Sequence, residues 1–253
     1  MTATASETST AIPRLPDLRT AIVTGAGGPA GIGRVTARIL AESGWHIALV
    51  DINADGLSGV EKELRAAGQE NLLAVPTDIA SETSVTEAYE QIDSELPPVV
   101  GLVNLAGIPC PVPLHECSLA EFERVMAVNV TANWRLIRSL DPLLRRSDAG
   151  RAIFITSGIA NRGVPYWSAY AASKAALDVL ATTYAAEVAH TAVRVNLYNP
   201  GPMRTTMRAQ AFPGEPPEQQ VPPEAHAEGL IRLALPSCTL NGQWVAGDKV
   251  LAT

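Results

Sequence analysis

Three observations predict an α/β fold with a doubly wound parallel sheet. Short, β-branched apolar runs alternate with amphipathic helical stretches along the chain. The first apolar run ends in a glycine-rich turn, and the second ends in an acid. The alternation is what right-handed βαβ units produce, with helices on both faces of one sheet. At 253 residues the chain is long enough for one large domain with a substantial core.

The elements follow in order. RTAIVT at 19–24 supplies a first strand around Ala21, Ile22 and Val23, and TGAGGPAGIG at 24–33 forms the turn. A helix is expected over 31–43, with Val35 to Leu40 inside it, and then the strand HIALVD at 46–51. In the next helix, 55–67, Leu57, Val60 and Leu64 make a buried stripe. Further strands are expected at 71–77, 99–105, 150–156, 192–198 and 242–246, seven in all, because their apolar runs are short and β-branched. Helices are expected at 82–95, 118–145, 168–189 and 223–235. FPGEPPEQQVPPE at 212–224 carries five prolines and reads as an irregular loop. Residues 17–253 therefore read as a single domain with a substrate-loop region near 204–223, preceded by a Ser/Thr-rich tail at 1–16.

Composition narrows the function. Hydrophobic residues make up 47% and charged residues 18%, as in a folded enzyme. A net charge of −7 argues against a general nucleic-acid or anionic-membrane surface. No apolar run approaches the roughly 20 residues that span a bilayer. Cys110, Cys117 and Cys238 are odd in number without CxxC spacing, which suits reduced thiols in a cytoplasm. His115, Glu116 and Cys117 are consecutive, so they read as a loop and no metal is expected. Arg204 and Arg208 read as a solvated helix face, with an acidic substrate as the alternative; Trp134, Tyr166 and Trp167 read as core or pocket.

Two motifs carry chemistry. Glycines such as Gly25, Gly31 and Gly33 let a backbone approach a pyrophosphate, and the helix that follows offers its positive end. Asp51 lies eighteen residues past Gly33, where a carboxylate accepts hydrogen bonds from an adenosine ribose. Farther along, Tyr170 and Lys174 in YAASK share one helix face, and Ser157 precedes the tyrosine by thirteen residues. A neighbouring cation favours a phenolate, so Lys174 is expected to lower the Tyr170 pKa. With a serine hydroxyl on the substrate oxygen, the set can move a proton to or from a carbonyl or alcohol.

These motifs together resemble the short-chain dehydrogenase/reductase family, in its branch of about 250-residue Rossmann-type enzymes. The resemblance runs from about residue 17 to the C-terminus. TGAGGPAGIG is similar to the family's TGxxxGxG turn, NLAG at 104–107 to its NNAG, and NPGPMRT at 199–205 to its PGxxxT segment. It implies hydride transfer between a nicotinamide cofactor and a small secondary alcohol or ketone. It assigns Asn129, Ser157, Tyr170 and Lys174 to a proton relay. Gly25, Gly31, Ile32 and Gly33 would meet the pyrophosphate, and Asp51 and Ile52 the ribose. Asp78 and Ile79 would meet the adenine. Asn104, Ala106 and Gly107 would line the cofactor, with Tyr170 and Lys174 at its nicotinamide ribose. Pro200, Gly201, Met203 and Thr205 would surround the nicotinamide. NAD(H) is expected over NADP(H), with Arg34 the one nearby cation, and a homotetramer or homodimer is implied. An NADPH-dependent carbonyl reductase and a non-catalytic dinucleotide sensor are the alternatives.

The sequence departs from the family pattern in places. The glycine turn has two more residues between Gly25 and Gly31, Leu105 replaces an asparagine, and VAGDK at 245–249 stands for an Asp-Gly-Gly.

Overall fold

The computed structural model describes residues 19–247. The tail at 1–16, and Asp248 and Lys249 of VAGDK, lie outside the described residues. Seven parallel strands form one sheet in the order β3-β2-β1-β4-β5-β6-β7. They are β1 (Thr20–Thr24), β2 (His46–Asp51), β3 (Leu72–Pro76), β4 (Val99–Asn104), β5 (Arg151–Ile155), β6 (Arg194–Asn199) and β7 (Trp244–Ala246). Eight α-helices accompany them among the described residues: α1 (Ile32–Glu42), α2 (Ala54–Ala66), α3 (Glu82–Glu95), α4 (Leu119–Met126), α5 (Ala132–Arg146), α6 (Ser168–Glu187), α7 (Thr206–Ala211) and α8 (Glu224–Ala234).

The period of two along each strand divides the core. In β1, Ala21 and Val23 point into one cluster with Leu40, Leu57, Leu64 and Leu230, so α1, α2 and α8 cover that face. Ile22 points the other way, toward Val85, Ile92, Leu136, Leu140 and Leu177 of α3, α5 and α6. A strand buried on both faces is apolar along its middle and hydrogen-bonds any polar side chain at its ends, and β1 and β4 are buried at every position. Strand order reverses between β1 and β4. In an open parallel sheet, that crevice at the carboxyl ends is where ligands bind.

The structure corrects one helix. The stretch expected as a single helix over 118–145 is α4 and α5 joined by a π-helical turn, Ala127–Thr131. The wider turn centres on Asn129, which is fully buried. Hydrophobic periodicity cannot register such an insertion, because the apolar residues still fall on one broad face. The 204–223 loop also holds more structure than its prolines suggest, with α7 and a 3-10 turn at Pro217–Gln219.

Candidate active site

The glycine turn packs by backbone contact. Gly25 has φ +68, and a Cβ there would lie 3.1 Å from the Ala106 nitrogen. A Cβ on Gly33 would lie 2.2 Å from the Gly25 carbonyl oxygen, so α1 can approach the turn only through a glycine. Gly31 differs: a Cβ there would lie 3.9 Å from the Gly25 carbonyl oxygen and the Gly33 nitrogen, in ordinary van der Waals contact at the helix entrance. It also N-caps α1 without a side-chain hydrogen bond, whereas Asn53, Ser81 and Ser118 cap α2, α3 and α4. The first-turn N–H groups of α1 thus face an open, uncapped cradle, which fits the phosphates of a dinucleotide.

Gly27, within the lengthened turn, has a definite place. The Gly27 N–H donates to Asp51 Oδ2 at 2.9 Å, and the Asn53 N–H donates to Oδ1 at 3.0 Å. Asn53 Nδ2 reaches back to the Gly27 carbonyl at 3.4 Å. Gly56 completes this latch, since a Cβ there would lie 2.1 Å from the Gly27 oxygen. Gly27, Asn53 and Gly56 were not legible in the sequence as part of the site. Arg34, the cation near Asp51, is paired with Glu63 of α2.

Behind the turn runs a buried polar chain. The Thr24 hydroxyl donates to Asn104 Oδ1 and accepts from the Leu105 and Ala106 N–H groups, both at 3.1 Å. Asn104 Nδ2 donates to Asn133 Oδ1, and Asn133 Nδ2 donates to the Asn129 carbonyl at 2.8 Å. The Asn129 side chain brackets Ile108, accepting from its N–H and donating to its carbonyl at 2.9 Å each. It also donates to Ser173 Oγ at 3.0 Å, and Ser173 donates to the Tyr170 carbonyl at 2.7 Å. Leaving any one of these buried groups unpaired costs about 1–3 kcal/mol. Asn133 and Ser173 were missed in the sequence; the NxxxN spacing from Asn129 was the available signal.

Tyr170 and Lys174 lie one turn apart on α6, both nearly buried, with the ammonium 5.6 Å from the phenol ring centre. The expected electrostatics do not hold. Burial pushes the Tyr170 phenol up to about 12, and a hydrogen bond with Ser157 acts in the opposite direction. Lys174 instead donates to the Ile155 carbonyl at 2.8 Å. Burial brings its ammonium down to about 8, opposed by the Asp178 carboxylate. Asp178 accepts from the Thr156 hydroxyl, tying α6 to the end of β5 just before Ser157.

The remaining expected residues fall around this centre less evenly. Asp78 caps its own turn, accepting from the Ala80 N–H at 2.9 Å, with Ile79 buried beneath and Ile52 largely exposed. Pro200, Gly201 and Met203 follow β6, with Gly201 at φ +79 and Met203 packed on the core. Thr205 N-caps α7, accepting from the Arg208 N–H at 3.2 Å. Gly107 sits between Asn129 and Lys174, 3.2 and 3.5 Å from where its Cβ would be. Trp167 meets the Tyr170 ring edge-on at 5.3 Å and stacks on Phe212 at 5.8 Å. Arg208 is half-buried and engaged: it lies 3.8 Å over the Phe212 ring and bonds Glu215 through two nitrogens, at 2.7 and 2.5 Å. Trp134 and Tyr166 are exposed. Among the described residues no group of three His, Cys, Asp or Glu side chains could hold a metal. No helix among them is long and apolar enough to cross a membrane.

The chain belongs to the short-chain dehydrogenase/reductase family: residues 19–216 match the short chain dehydrogenase family. It is 34% identical to 2,3-dihydro-2,3-dihydroxybenzoate dehydrogenase of Bacillus subtilis, covering 79% of this chain and 76% of that one. It is 29% identical to D-beta-hydroxybutyrate dehydrogenase of Rhizobium meliloti, over 84% and 78% of the two chains. A short-chain dehydrogenase from Escherichia coli CFT073, solved in complex with NADPH, superposes with a TM-score of 0.84 at 31% identity, covering 90% of this chain and 96% of that one. The protein is thus an oxidoreductase of this family with a nicotinamide dinucleotide fold.

Proposed function

We propose that the protein transfers hydride between NAD(H) and a small secondary alcohol or ketone. The observation that carries this reading is the convergence of Ser157, Tyr170 and Lys174 at the carboxyl ends of the strands, beside the uncapped glycine cradle. The cofactor supplies the hydride chemistry. Gly25, Gly31 and Gly33 hold its phosphates, and Asp51 accepts from its ribose. Ser157 steadies the substrate oxygen, while Tyr170 gives the proton in reduction and takes it in oxidation. Asn129 and Lys174 extend the proton path toward solvent. The named substrates of the two dehydrogenases above, a cyclic diol and a hydroxy acid, support a small alcohol.

NAD(H) is favoured because Asp51 stands where a 2′-phosphate would go, and like charges repel. Arg34 offers little relief, since Glu63 neutralises it. The NADPH in the E. coli relative favours the second reading, an NADPH-dependent carbonyl reductase. Comparing kcat/KM for the two cofactors on a panel of secondary alcohols and ketones separates them. NAD(H) should win clearly; an advantage for NADP(H) would establish the second reading. Tyr170→Phe should lose about 10²- to 10⁴-fold in kcat with cofactor affinity retained. If no substrate turns over, a non-catalytic sensor is the better account.

A further inference from the structure

The loop between β4 and α4 holds two thiols that the hydride chemistry does not use. Cys110 Sγ and Cys117 Sγ are 3.9 Å apart. Their approach is built into the backbone. The Val112 N–H bonds the Cys110 carbonyl at 3.0 Å, and the Glu116 and Cys117 N–H groups bond the Pro113 carbonyl at 3.0 and 3.1 Å. Pro109, Pro111 and Pro113 restrict φ along the same stretch, so the two turns return Cys117 to Cys110 with little freedom left to lose. Cys110 is 7% exposed and packs with Val125 and Ala169, the residue before Tyr170. Cys117 is only half-buried.

We propose that Cys110 and Cys117 are an oxidation site that closes to an intrachain disulfide on reaction with a hydroperoxide. A disulfide needs sulfurs about 2.0 Å apart, a closure of about 2 Å here, within reach of side-chain rotation and a small loop shift. Cys117, the accessible thiol, reacts first. Its thiolate attacks the peroxide, an S–O bond forms, the O–O bond breaks, and the departing oxygen leaves as alcohol or water. The Cys110 sulfur then attacks the Cys117 sulfur. The S–S bond forms, the S–O bond breaks, and hydroxide leaves with the Cys110 proton as water. Two thiols are oxidised by two electrons and one hydroperoxide is reduced. Burial pushes the Cys110 thiol up to about 11, with Cys117 and Glu121 adding to the rise, so this second step is slow at neutral pH and faster in mild alkali. The bond would fasten the loop that carries Ile108, the partner of Asn129, against the start of α6.

The purified full chain, treated with hydrogen peroxide and quenched, is cleaved by a Glu-specific protease. Cleavage after Glu116 separates the two cysteines, so a surviving link between the peptides reports the bond directly. Thiols counted in denaturant should fall from three to one and return on reduction. Cys238→Ser should fall from two to none, and Cys110→Ser should accumulate Cys117 sulfenic acid. Unlinked peptides, from unreacted thiols or sulfinic acid at Cys117, would overturn the proposal, as would a doubled chain mass in denaturant without reductant, which marks a bond between two chains; both readouts use the wild type, so they decide it if a variant does not fold.

Discussion

Lys174 and Tyr170 are neighbours whose burial acts on them in opposite senses. The Lys174 pKa falls from its ordinary 10.5 to about 8, so between those values the unfolded chain binds more protons than the folded one. Its contribution to stability is complete above 10.5 and is lost as pH falls through 8. The Tyr170 pKa rises from 10 to about 12, so its contribution is complete below 10 and is lost as pH rises through 12. The pair therefore predicts that stability climbs between pH 8 and 10 and declines above it. Lys174→Met should flatten the climb, by at most about 3 kcal/mol. Denaturant midpoints of both proteins at pH 7 to 10 check this, and parallel curves would remove Lys174 as the source.

At the scale of elements, the glycine turn separates packing from ligand access. Gly33→Ala drives a methyl into the Gly25 carbonyl, with only backbone to yield. It should cost about 1–3 kcal/mol of stability or more, and lower the melting temperature accordingly. Gly31→Ala meets only ordinary van der Waals contact, at φ −104, so stability should change little. Dinucleotide affinity should drop all the same, because the methyl enters the cradle; calorimetric titration beside thermal melts distinguishes the two effects. The 204–223 loop is a second such element. Its ends are joined by the Arg204 N–H to the Val221 carbonyl at 2.9 Å, and Phe212 reaches Trp167 beside Tyr170. We read it as a lid with few core anchors, able to exclude water once substrate is bound. Hydrogen exchange over 204–223 should slow with NAD and a substrate analogue present, and unchanged protection would mark a fixed loop.

For the whole molecule, the helices around the site leave apolar surface uncovered. Trp134 is 46% exposed, Val179 67% and Leu119 71%, on α5, α6 and α4. We propose that a dimer or a dimer of dimers buries them, because helices apolar on more than one face need a partner on the uncovered side. Light scattering at micromolar protein should give a multiple of the chain mass, and Val179→Glu should lower it. A monomer mass for the wild type would refute the assembly.

Local sequence determined much of this protein. Ala21, Ile22 and Val23, followed by a glycine turn, can satisfy burial on both sides only as a central parallel strand. YAASK puts Tyr170 and Lys174 on one face because helix geometry does so everywhere. Asp51 ends β2 because a buried strand stops where a charge must reach water. Tertiary structure decided what these groups do to each other. The π-turn at Asn129, the Asn104–Asn133 link and the Gly27–Asp51 latch join residues far apart in sequence, and their pairing depends on how the strands and helices assemble. The direction of the Tyr170 shift was misread from sequence for the same reason. Proximity to a cation is a property of spacing, but desolvation is a property of everything packed around the phenol, and here it outweighs the opposing Ser157 hydrogen bond.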